Sequence, residues 1–496
     1  MYYQSTRSDH RASDTAAVLE GIAPDGGLYI DPSLGSRPFD WQGCLRLPPL
    51  GMASMILSHL LPGFADMDEL VRRAYDGKFD SEELTPLVPV GDDYVLELFH
   101  GPTAAFKDVA LSMLPQLVTA ARGQEGVRDR ICILTATSGD TGKAALEGFH
   151  DVDGTGILVF FPDAGVSPVQ KAQMVTQAGG NVRVCAVRGN FDDCQSGVKR
   201  AFAALSGDAL PAGSRLSSAN SINIGRLAPQ VVYYFIAYAE LLDRGAIRLG
   251  EPVDYVVPTG NFGDILAGYF AKLMGLPVGR LVCASNANRV LTDFLETGVY
   301  DKRRAFLKTA SPSMDILVSS NLERLLFLAS AGDTALVADC MKKLNTEGVY
   351  RFPEEAMARI REDFAACCCG EESCLETIGR VWRDCGYLCD THTAVGMYAA
   401  QNYRRARGAD RRTVVLSTAS PFKFPAAVLR AIGGELSGDE FEQMERLAEI
   451  TKQPIPRGLR GLRERPVLHR DVIDPDEIVD YVRRQLAEPS PPLRKS

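Results

Sequence analysis

Lys107 is a candidate reactive amine because of the residues around it. It follows Phe106, and an apolar run begins at Val109. A lysine in apolar surroundings loses its proton more readily and then presents the nucleophilic amine that an aldehyde cofactor requires. Since an isolated lysine is more often a solvated surface residue, the local sequence alone leaves both interpretations open.

Three polar, glycine-containing segments each follow an apolar run, at residues 135–142, 258–264 and 417–424. In open α/β sheets, ligands bind where the carboxyl ends of strands lead into helices. We therefore expect these segments to form walls of one pocket that faces Lys107.

Residues 258–264 have the chemistry of a phosphate site. Gly260 and Gly263 allow close approach of the backbone, and a helix beginning near Asp264 would point its free N–H groups at the ligand. A purely structural turn is equally compatible with this segment, and it does not fit G-x-G-x-x-G. An ATP-binding P-loop at residues 135–143 is excluded, because the spacing fails and Ala144 stands where magnesium needs Ser or Thr.

Short apolar runs alternate with longer amphipathic stretches from about residue 94, which predicts an α/β architecture with mainly parallel sheets. Their continuous apolar character indicates strands covered on both faces. The predicted strands span residues 131–136, 157–161, 182–187, 253–257, 281–284 and 413–417. Residues 300–380 read as mostly helical. We divide the chain into an N-terminal domain (1–90), a catalytic region (91–485) with a smaller lobe within 130–225, and a frayed tail (486–496).

Composition narrows the class of protein. The net charge of −9 and the pI of about 5.4 argue against nucleic-acid binding, which needs a basic face. The longest apolar run, residues 231–239, is too short to span a membrane and suits a buried helix. Twelve scattered cysteines favour free thiols in the reducing cytoplasm.

Several segments, in order along essentially the whole chain, resemble the threonine synthases, which are fold-type II pyridoxal phosphate enzymes. They are residues 3–7, 19–29, 97–108, 137–142, 218–223 with Arg226, 260–264, 311–315 and 319–325. The resemblance implies two open α/β lobes with an added N-terminal domain. It also implies pyridoxal 5'-phosphate as cofactor.

The resemblance assigns roles to individual residues. Lys107 would form a Schiff base with the cofactor and later carry protons. Thr418 would bind the pyridine nitrogen. The cofactor phosphate would be held by Gly260, Asn261, Phe262 and Gly263, with Asp264 at the helix start. The substrate carboxylate would be held by Ser138, Gly139, Asp140 and Thr141. The substrate phosphate would be clamped by Ser221, Asn223 and Arg226, whose guanidinium suits phosphate oxygens.

The implied reaction converts O-phospho-L-homoserine and water to L-threonine and phosphate. The alternative is a related phospholyase that gives 2-oxobutyrate, ammonia and phosphate, since related enzymes on one scaffold differ in outcome. The small-molecule substrate is the expected partner, and the sequence does not distinguish a monomer from a homodimer.

Two departures from the family pattern concern specificity. Thr391 stands where proline is expected before His392, and Ser420 stands where many members have histidine. His100 and His392 are candidate bases but more often such residues are packed or hydrogen-bonded. The cysteine-rich segment 367–389 lacks the paired spacing of a zinc site, so we expect no metal and interpret it as helix filler.

Overall fold

The structure is a computed structural model and describes residues 2–137, 139–164, 166–205, 210, 213–407 and 411–487. Ser138, predicted to bind the substrate carboxylate, lies outside the described residues. So do residues 488–496, which make up most of the predicted frayed tail.

The strands, in chain order, are β1 (Tyr3–Ser5), β2 (Arg11–Ala12), β3 (Tyr29–Ile30), β4 (Leu87–Val90), β5 (Asp93–Glu97), β6 (Arg130–Ala136), β7 (Thr155–Pro162), β8 (Val182–Val187), β9 (Ser214–Ser217), β10 (Val253–Pro258), β11 (Val278–Ser285), β12 (Val299–Asp301), β13 (Val349–Arg351), β14 (Phe364–Cys368), β15 (Thr413–Ser417) and β16 (Asp471–Ile473).

The helices are α1 (Asp14–Glu20), α2 (Trp41–Cys44), α3 (Pro49–Leu60), α4 (Met67–Tyr75), α5 (Lys107–Gln124), α6 (Asp140–Phe149), α7 (Pro168–Val175), α8 (Phe191–Ala204), α9 (Ile224–Leu227), α10 (Val232–Asp243), α11 (Gly263–Leu273), α12 (Val290–Thr297), α13 (Leu322–Ala329), α14 (Thr334–Thr346), α15 (Glu354–Asp363), α16 (Glu371–Cys385), α17 (Thr391–Arg407), α18 (Pro425–Ile432), α19 (Glu440–Thr451) and α20 (Ile478–Ala487).

The larger lobe is built on a six-stranded sheet in the order β14-β11-β10-β15-β5-β4. Its pairs are parallel except β4 with β5, which are antiparallel. The central strands β10 and β15 are buried along their whole length, as their continuous apolar sequences predicted. Because β10, β15 and β5 are neighbours, the loops that follow them meet at one edge of the sheet.

The smaller lobe is a five-stranded, all-parallel sheet in the order β16-β8-β7-β6-β9. Strands β6 to β9 lie within residues 130–225. The edge strand β16, however, comes from residues 471–473, and α20 packs with α8 through Ile478, whose side chain lies against Gly197. This contribution from the C-terminal part of the chain was not predicted from the sequence. Together the two lobes confirm the predicted fold class.

The N-terminal region is bound to the larger lobe by a partly buried ion pair. Arg7 donates through Nε and Nη2 to the two carboxylate oxygens of Glu323, both at 2.8 Å. The boundary at residue 90 places β4 in the N-terminal domain, yet β4 pairs with β5 in the sheet of the larger lobe. The sheet therefore places β4 with the catalytic region.

Two expectations for residues 300–380 differ from the structure. The segment contains β14, which pairs with β11, so the description of it as mostly helical omits an edge strand of the main sheet. Cys367 and Cys368 lie in this strand, so their interpretation as helix filler was wrong. Both are half-buried, at the edge of the main sheet.

The described part of the chain contains no group of three or more His, Cys, Asp or Glu side chains arranged to hold a metal ion. The apolar run at 231–239 is buried throughout; its first residue precedes α10 and the others lie within it. Among the described residues, no helix is both long and apolar enough to cross a membrane.

Candidate active site

Lys107 is the first residue of α5, at the end of the loop that leaves β5. The loop is fixed to the segment after β15: the N–H of Phe106 donates to the carbonyl of Thr418 (2.9 Å), and the N–H of Ser420 donates to the carbonyl of Ala104 (3.1 Å). Ala104 has a left-handed backbone with φ of 59°, a conformation that costs free energy for a residue with a Cβ. The surrounding contacts hold this turn, and they fix where Lys107 starts.

Asp108, which is buried, stabilises the same loop through hydrogen bonds. Its carboxylate accepts from the N–H of Thr103 (2.8 Å) and from the Thr103 hydroxyl (2.6 Å). A Cβ on Gly101 would lie 2.4 Å from the Asp108 side chain, so only glycine fits there. Residues in the segment Gly101–Asp108 are therefore required by the geometry of the turn, in addition to the requirement for the lysine.

The amine of Lys107 is nearly buried, with 11% of its side chain exposed. Burial lowers the pKa of Lys107 to about 8, and the positive charges of Lys423 and Arg226 act in the same direction. Asp140, whose Oδ2 lies 3.9 Å from the Lys107 Nζ, opposes this shift. The amine is thus poised to exchange a proton near neutral pH, as the apolar surroundings predicted.

The loop between β10 and α11 places a row of free backbone donors opposite this lysine. Within the described part of the chain, the N–H groups of residues 260–264 have no protein acceptor. Phe262 has a left-handed backbone with φ of 64° and precedes the first turn of α11 without capping it through a side chain. Free N–H groups at the start of an eleven-residue helix, together with its dipole, form an anion site.

We call the loop of residues 260–264 the phosphate cradle; neighbouring residues pack closely against it. A Cβ on Gly260 would lie 2.7 Å from the carbonyl oxygen of Ser313. A Cβ on Gly263 would lie 3.4 Å from the Asn321 Nδ2 and 3.8 Å from the Ser221 Cβ. The Asp264 carboxylate points the other way, into a buried cluster where the hydroxyls of Tyr233 and Tyr234 donate to it. Burial raises the pKa of Asp264 to about 7. Its backbone N–H faces the cradle, while its side chain belongs to the core.

The segment between β6 and α6 offers a second set of free donors. The N–H groups of Gly139 and Gly142 both donate to the hydroxyl of Thr137, whereas those of Asp140 and Thr141 have no acceptor among the described residues. Gly139 has φ of 143°, which favours glycine. The ordered backbone of this segment thus presents two amides at the start of α6.

Arg226 is a buried cation without an anionic partner. Its side chain is 2% exposed, and no carboxylate in the described part of the chain lies within ion-pair distance of it. It donates through Nη1 to the carbonyl of Ala219, and its buried Nε has no acceptor. Burial lowers the pKa of Arg226 to about 10. A guanidinium removed from water with donors unused is a site for an anion.

Ser221 and Asn223, the other two residues of the predicted substrate-phosphate clamp, differ in which of their side-chain groups are already hydrogen-bonded. Ser221 is half-buried beside the cradle, and its carbonyl accepts from the Asn321 amide (3.1 Å). Asn223 is fully buried and caps α9: its Oδ1 accepts from the N–H of Gly225 (2.8 Å), and its Nδ2 donates to the carbonyl of Val18 (2.9 Å). Asn223 therefore shapes the segment that carries Arg226.

Thr418 lies on the wall shared with Lys107, since its carbonyl accepts from Phe106. It is 6% exposed, and its hydroxyl has no protein partner among the described residues. A nearly buried hydroxyl with an unused donor and acceptor suits a heteroatom of a bound ring.

A group of side chains that was not predicted from the sequence links these walls. Lys423 Nζ lies 2.7 Å from Asp140 Oδ1, and the Ser313 hydroxyl donates to Asp140 Oδ2 (3.3 Å). The N–H of Ser313 donates to His392 Nε2 (3.1 Å), and His392 Nδ1 lies 2.6 Å from Asp390. His392 is thus a hydrogen-bonded structural residue, one of the two interpretations left open. Both Lys423 and Ser313 lay in segments singled out above, but sequence spacing could not pair them.

Comparison with known proteins identifies the scaffold. Residues 81–419 match the family model described as pyridoxal-phosphate dependent enzyme, and residues 393–481 match that of the threonine synthase C-terminal domain. Threonine synthase of Pseudomonas aeruginosa is 40% identical over 471 residues, covering 91% of this chain and 96% of the relative. The chain belongs to the threonine synthase family.

Solved structures of family members agree. The pyridoxal phosphate-bound threonine synthase of Brucella melitensis has a TM-score of 0.84 at 38% identity, covering 98% of this chain and 100% of that one. Yeast threonine synthase has a TM-score of 0.86 at 34% identity. Threonine synthase-like 1 of Macaca fascicularis is 39% identical over 84% of this chain, and the match spans 57% of that longer relative.

The family's cofactor fits the residues present. Pyridoxal phosphate has an aldehyde, a phosphate and a ring nitrogen, and the described site offers an amine at Lys107, unpaired amides at residues 260–264 and a free hydroxyl at Thr418. A second anion site, at Arg226, is not needed to hold the cofactor phosphate.

Proposed function

We propose that this chain is a threonine synthase, which converts O-phospho-L-homoserine and water to L-threonine and phosphate. The observation that carries this proposal is the buried, unpaired guanidinium of Arg226 beside a complete cofactor cradle. One anion site suffices for a pyridoxal phosphate enzyme whose substrate has no phosphate, whereas a phosphorylated substrate requires a second.

Three parts of the chain would hold the cofactor. The Lys107 amine would attach to its aldehyde carbon, the amides of Gly260, Asn261, Phe262 and Gly263 would bind its phosphate, and the Thr418 hydroxyl would bind its ring nitrogen. A neutral hydroxyl at the nitrogen moderates electron withdrawal compared with a carboxylate. When bound, the cofactor supplies an electron sink for negative charge that develops on the substrate carbon chain.

The substrate would be held at its two ends. Its carboxylate fits the free N–H groups of Asp140 and Thr141 at the start of α6. Ser138 and Gly139 precede them in the sequence and complete the proposed carboxylate site. The ionised Asp140 carboxylate faces the lysines and would repel a second carboxylate, so its backbone N–H is the part of Asp140 that contributes. The substrate phosphate fits Arg226 and Ser221, on a segment shaped by Asn223.

Lys107 would move the protons. Once the substrate amine takes its place, the free Nζ can accept the proton from the α-carbon and later return one, since a pKa of about 8 makes both directions accessible near neutral pH. The nearly complete burial of Nζ limits exchange of this proton with bulk water. Arg226 would balance the charge of the departing phosphate.

Product analysis with O-phospho-L-homoserine tests the proposal. The purified chain, reconstituted with pyridoxal phosphate, should release L-threonine and phosphate in equal amounts. Release of 2-oxobutyrate and ammonia with little threonine would support the phospholyase instead. If the protein binds the cofactor but forms neither threonine nor 2-oxobutyrate, both activities would be contradicted.

A further inference from the structure

Asp140 lies between two lysines that come from opposite ends of the chain. Its Oδ1 is 2.7 Å from Lys423 Nζ, and its Oδ2 is 3.9 Å from Lys107 Nζ. Gln170 donates to Oδ1 (3.0 Å), and Ser313 donates to Oδ2 (3.3 Å), so both oxygens are fixed. Burial opposes ionisation of Asp140, but Lys423 and Lys107 outweigh it and hold its pKa well below the usual range.

Lys423 is completely buried, and its ammonium has two protein partners: the Asp140 carboxylate and the carbonyl of Thr103, at 3.0 Å. Thr103 belongs to the loop that carries Lys107. Lys423 therefore touches that loop directly and reaches its lysine through Asp140. Burying an ammonium is costly, and core packing alone would be satisfied by an aliphatic side chain.

We propose that Lys423 is a positioning residue of the active site: it binds one face of Asp140, limits how strongly that carboxylate can pair with Lys107, and so keeps the Lys107 amine nucleophilic. Without Lys423, the full charge of Asp140 would be available to the Lys107 ammonium and would stabilise its protonated form. Without Asp140, the positive charges of Lys423 and Arg226 would act on Lys107 with less opposition.

The other charged groups that act on Lys107 are Arg226, which favours the neutral amine, and Asp108, which favours the ammonium. Asp264 also interacts electrostatically with Lys107. On the side of Ser313, His392 is held by Asp390 and accepts from the Ser313 N–H, so it contacts the site through a neutral peptide. None of these groups bridges the two lysines, which leaves Asp140 as the common partner in the described site.

Two neutralising variants give opposite expectations. In Lys423→Met, the pKa of Lys107 should rise, because a neighbouring positive charge is lost and Asp140 is released toward Lys107. In Asp140→Asn, it should fall below that of the wild type, because the only carboxylate between the lysines is lost. Charges at this range shift a pKa by ~1 unit or more. At pH 7 the neutral fraction of Lys107 should therefore drop about tenfold in the first variant and rise about fivefold in the second.

The measurement is trace acetylation of the full-length, cofactor-free protein with acetic anhydride across pH 6 to 10 (roughly the range that brackets the shifted pKa values). Mass spectrometry of the Lys107 peptide gives the midpoint, and the exposed Lys171 serves as internal standard. Lys423→Arg retains the charge and should keep a midpoint close to the wild type. Circular dichroism and thermal unfolding of each variant report whether the fold is intact.

A purely structural role for Lys423 predicts a different pattern. Loosening the site would expose Lys107 and move its midpoint upward in both variants. Shifts in the same direction, or an unchanged midpoint in folded Lys423→Met, would overturn the proposal. The proposal rests on the proposed function only in taking Lys107 as the reacting amine. Since the labelling needs neither cofactor nor substrate, failure of threonine formation and failure of this charge arrangement are separate results.

Discussion

The side-chain amide of Asn321 donates to the carbonyl of Ser221 at 3.1 Å, while the backbone N–H of Asn321 donates to the carbonyl of Asn261 at 3.0 Å. One residue thus fastens the proposed substrate clamp to the proposed cofactor cradle. Arg324, itself buried, binds Asn321 Oδ1 and the carbonyl of Ile222 and holds this link in place. The two anion sites therefore share a support and are not independent loops.

Lys107→Ala should eliminate both turnover and the visible absorbance of the lysine-bound cofactor. The substitution removes the amine, whereas the loop around it is held by Asp108 and by Phe106, so the fold should persist. Absorption spectra after addition of pyridoxal phosphate and circular dichroism measure the two effects. Lys171→Ala, on the exposed surface, is the control and should behave as wild type. Substantial activity in Lys107→Ala would refute the assignment of the reacting amine.

Arg226→Gln should raise KM for O-phospho-L-homoserine by roughly 10- to 100-fold, the loss expected from one or two hydrogen bonds between charged groups. The affinity for pyridoxal phosphate should change little, because the cradle at residues 260–264 is a separate set of donors. Steady-state kinetics and cofactor titration give the two quantities. Asn321→Ala is a useful comparison, since it should weaken both. An equal loss of cofactor and substrate affinity in Arg226→Gln would contradict the clamp role.

Gly260→Ala should weaken cofactor binding. The added Cβ would lie 2.7 Å from the carbonyl oxygen of Ser313, so the loop or the Ser313 segment must move and the row of amides is displaced. Titration with pyridoxal phosphate should show a higher Kd. Gly370→Ala, where a Cβ meets nothing within 4 Å, is the matched control. Wild-type affinity in Gly260→Ala would show that the cradle tolerates this displacement.

Asp264→Asn should change how stability depends on pH. Burial raises the pKa of Asp264 from 3.8 to about 7, so the folded state binds a proton that the unfolded state releases. The free energy of unfolding therefore falls as pH rises from about 4 to 7, by up to a few kcal/mol. Asparagine cannot ionise, so the variant should gain melting temperature relative to wild type between pH 5 and pH 8 (about one unit beyond the limits of this window).

Thermal unfolding of the cofactor-free proteins at several pH values tests this expectation. Asp301, half-buried and paired with Arg303, supplies the control variant Asp301→Asn, whose difference from wild type should not grow over the same range. A pH-independent difference between Asp264→Asn and wild type would mean that Asp264 is ionised throughout.

The strands and the segments of the site were predictable where the sequence carries a local signal. Strands β8 and β15 match their predicted limits because each is mainly apolar: β15 is buried at every position, and β8 at every position except Arg183. Local chemistry left the roles of Lys107 and of the loop at Gly260 open; the resemblance assigned both to one site, and this assignment stays a prediction. Strand β14 was missed because its apolar residues were assigned to a mostly helical segment, and β16 because it is a three-residue edge strand with two exposed positions.

The pairing of Lys423 with Asp140 could not be read from the sequence, because contacts between distant residues leave no periodicity. Asn223 shows the converse: the resemblance implied a contact with substrate, but its amide is used to cap α9 and to bind Val18. Motifs identify which segments meet, and the tertiary structure decides which side chains remain free to act.

The edge strand β16 has a consequence for the way the protein is made. Strands β6 to β9 leave the ribosome well before residues 471–487, so the hydrogen-bonding edge of β8 and the apolar side of α8 have no covering while the larger lobe is being synthesised. Contacts between such distant segments form slowly, and uncovered strand edges are prone to association with other chains. Nascent chains of this protein should therefore depend on chaperones until translation passes α20.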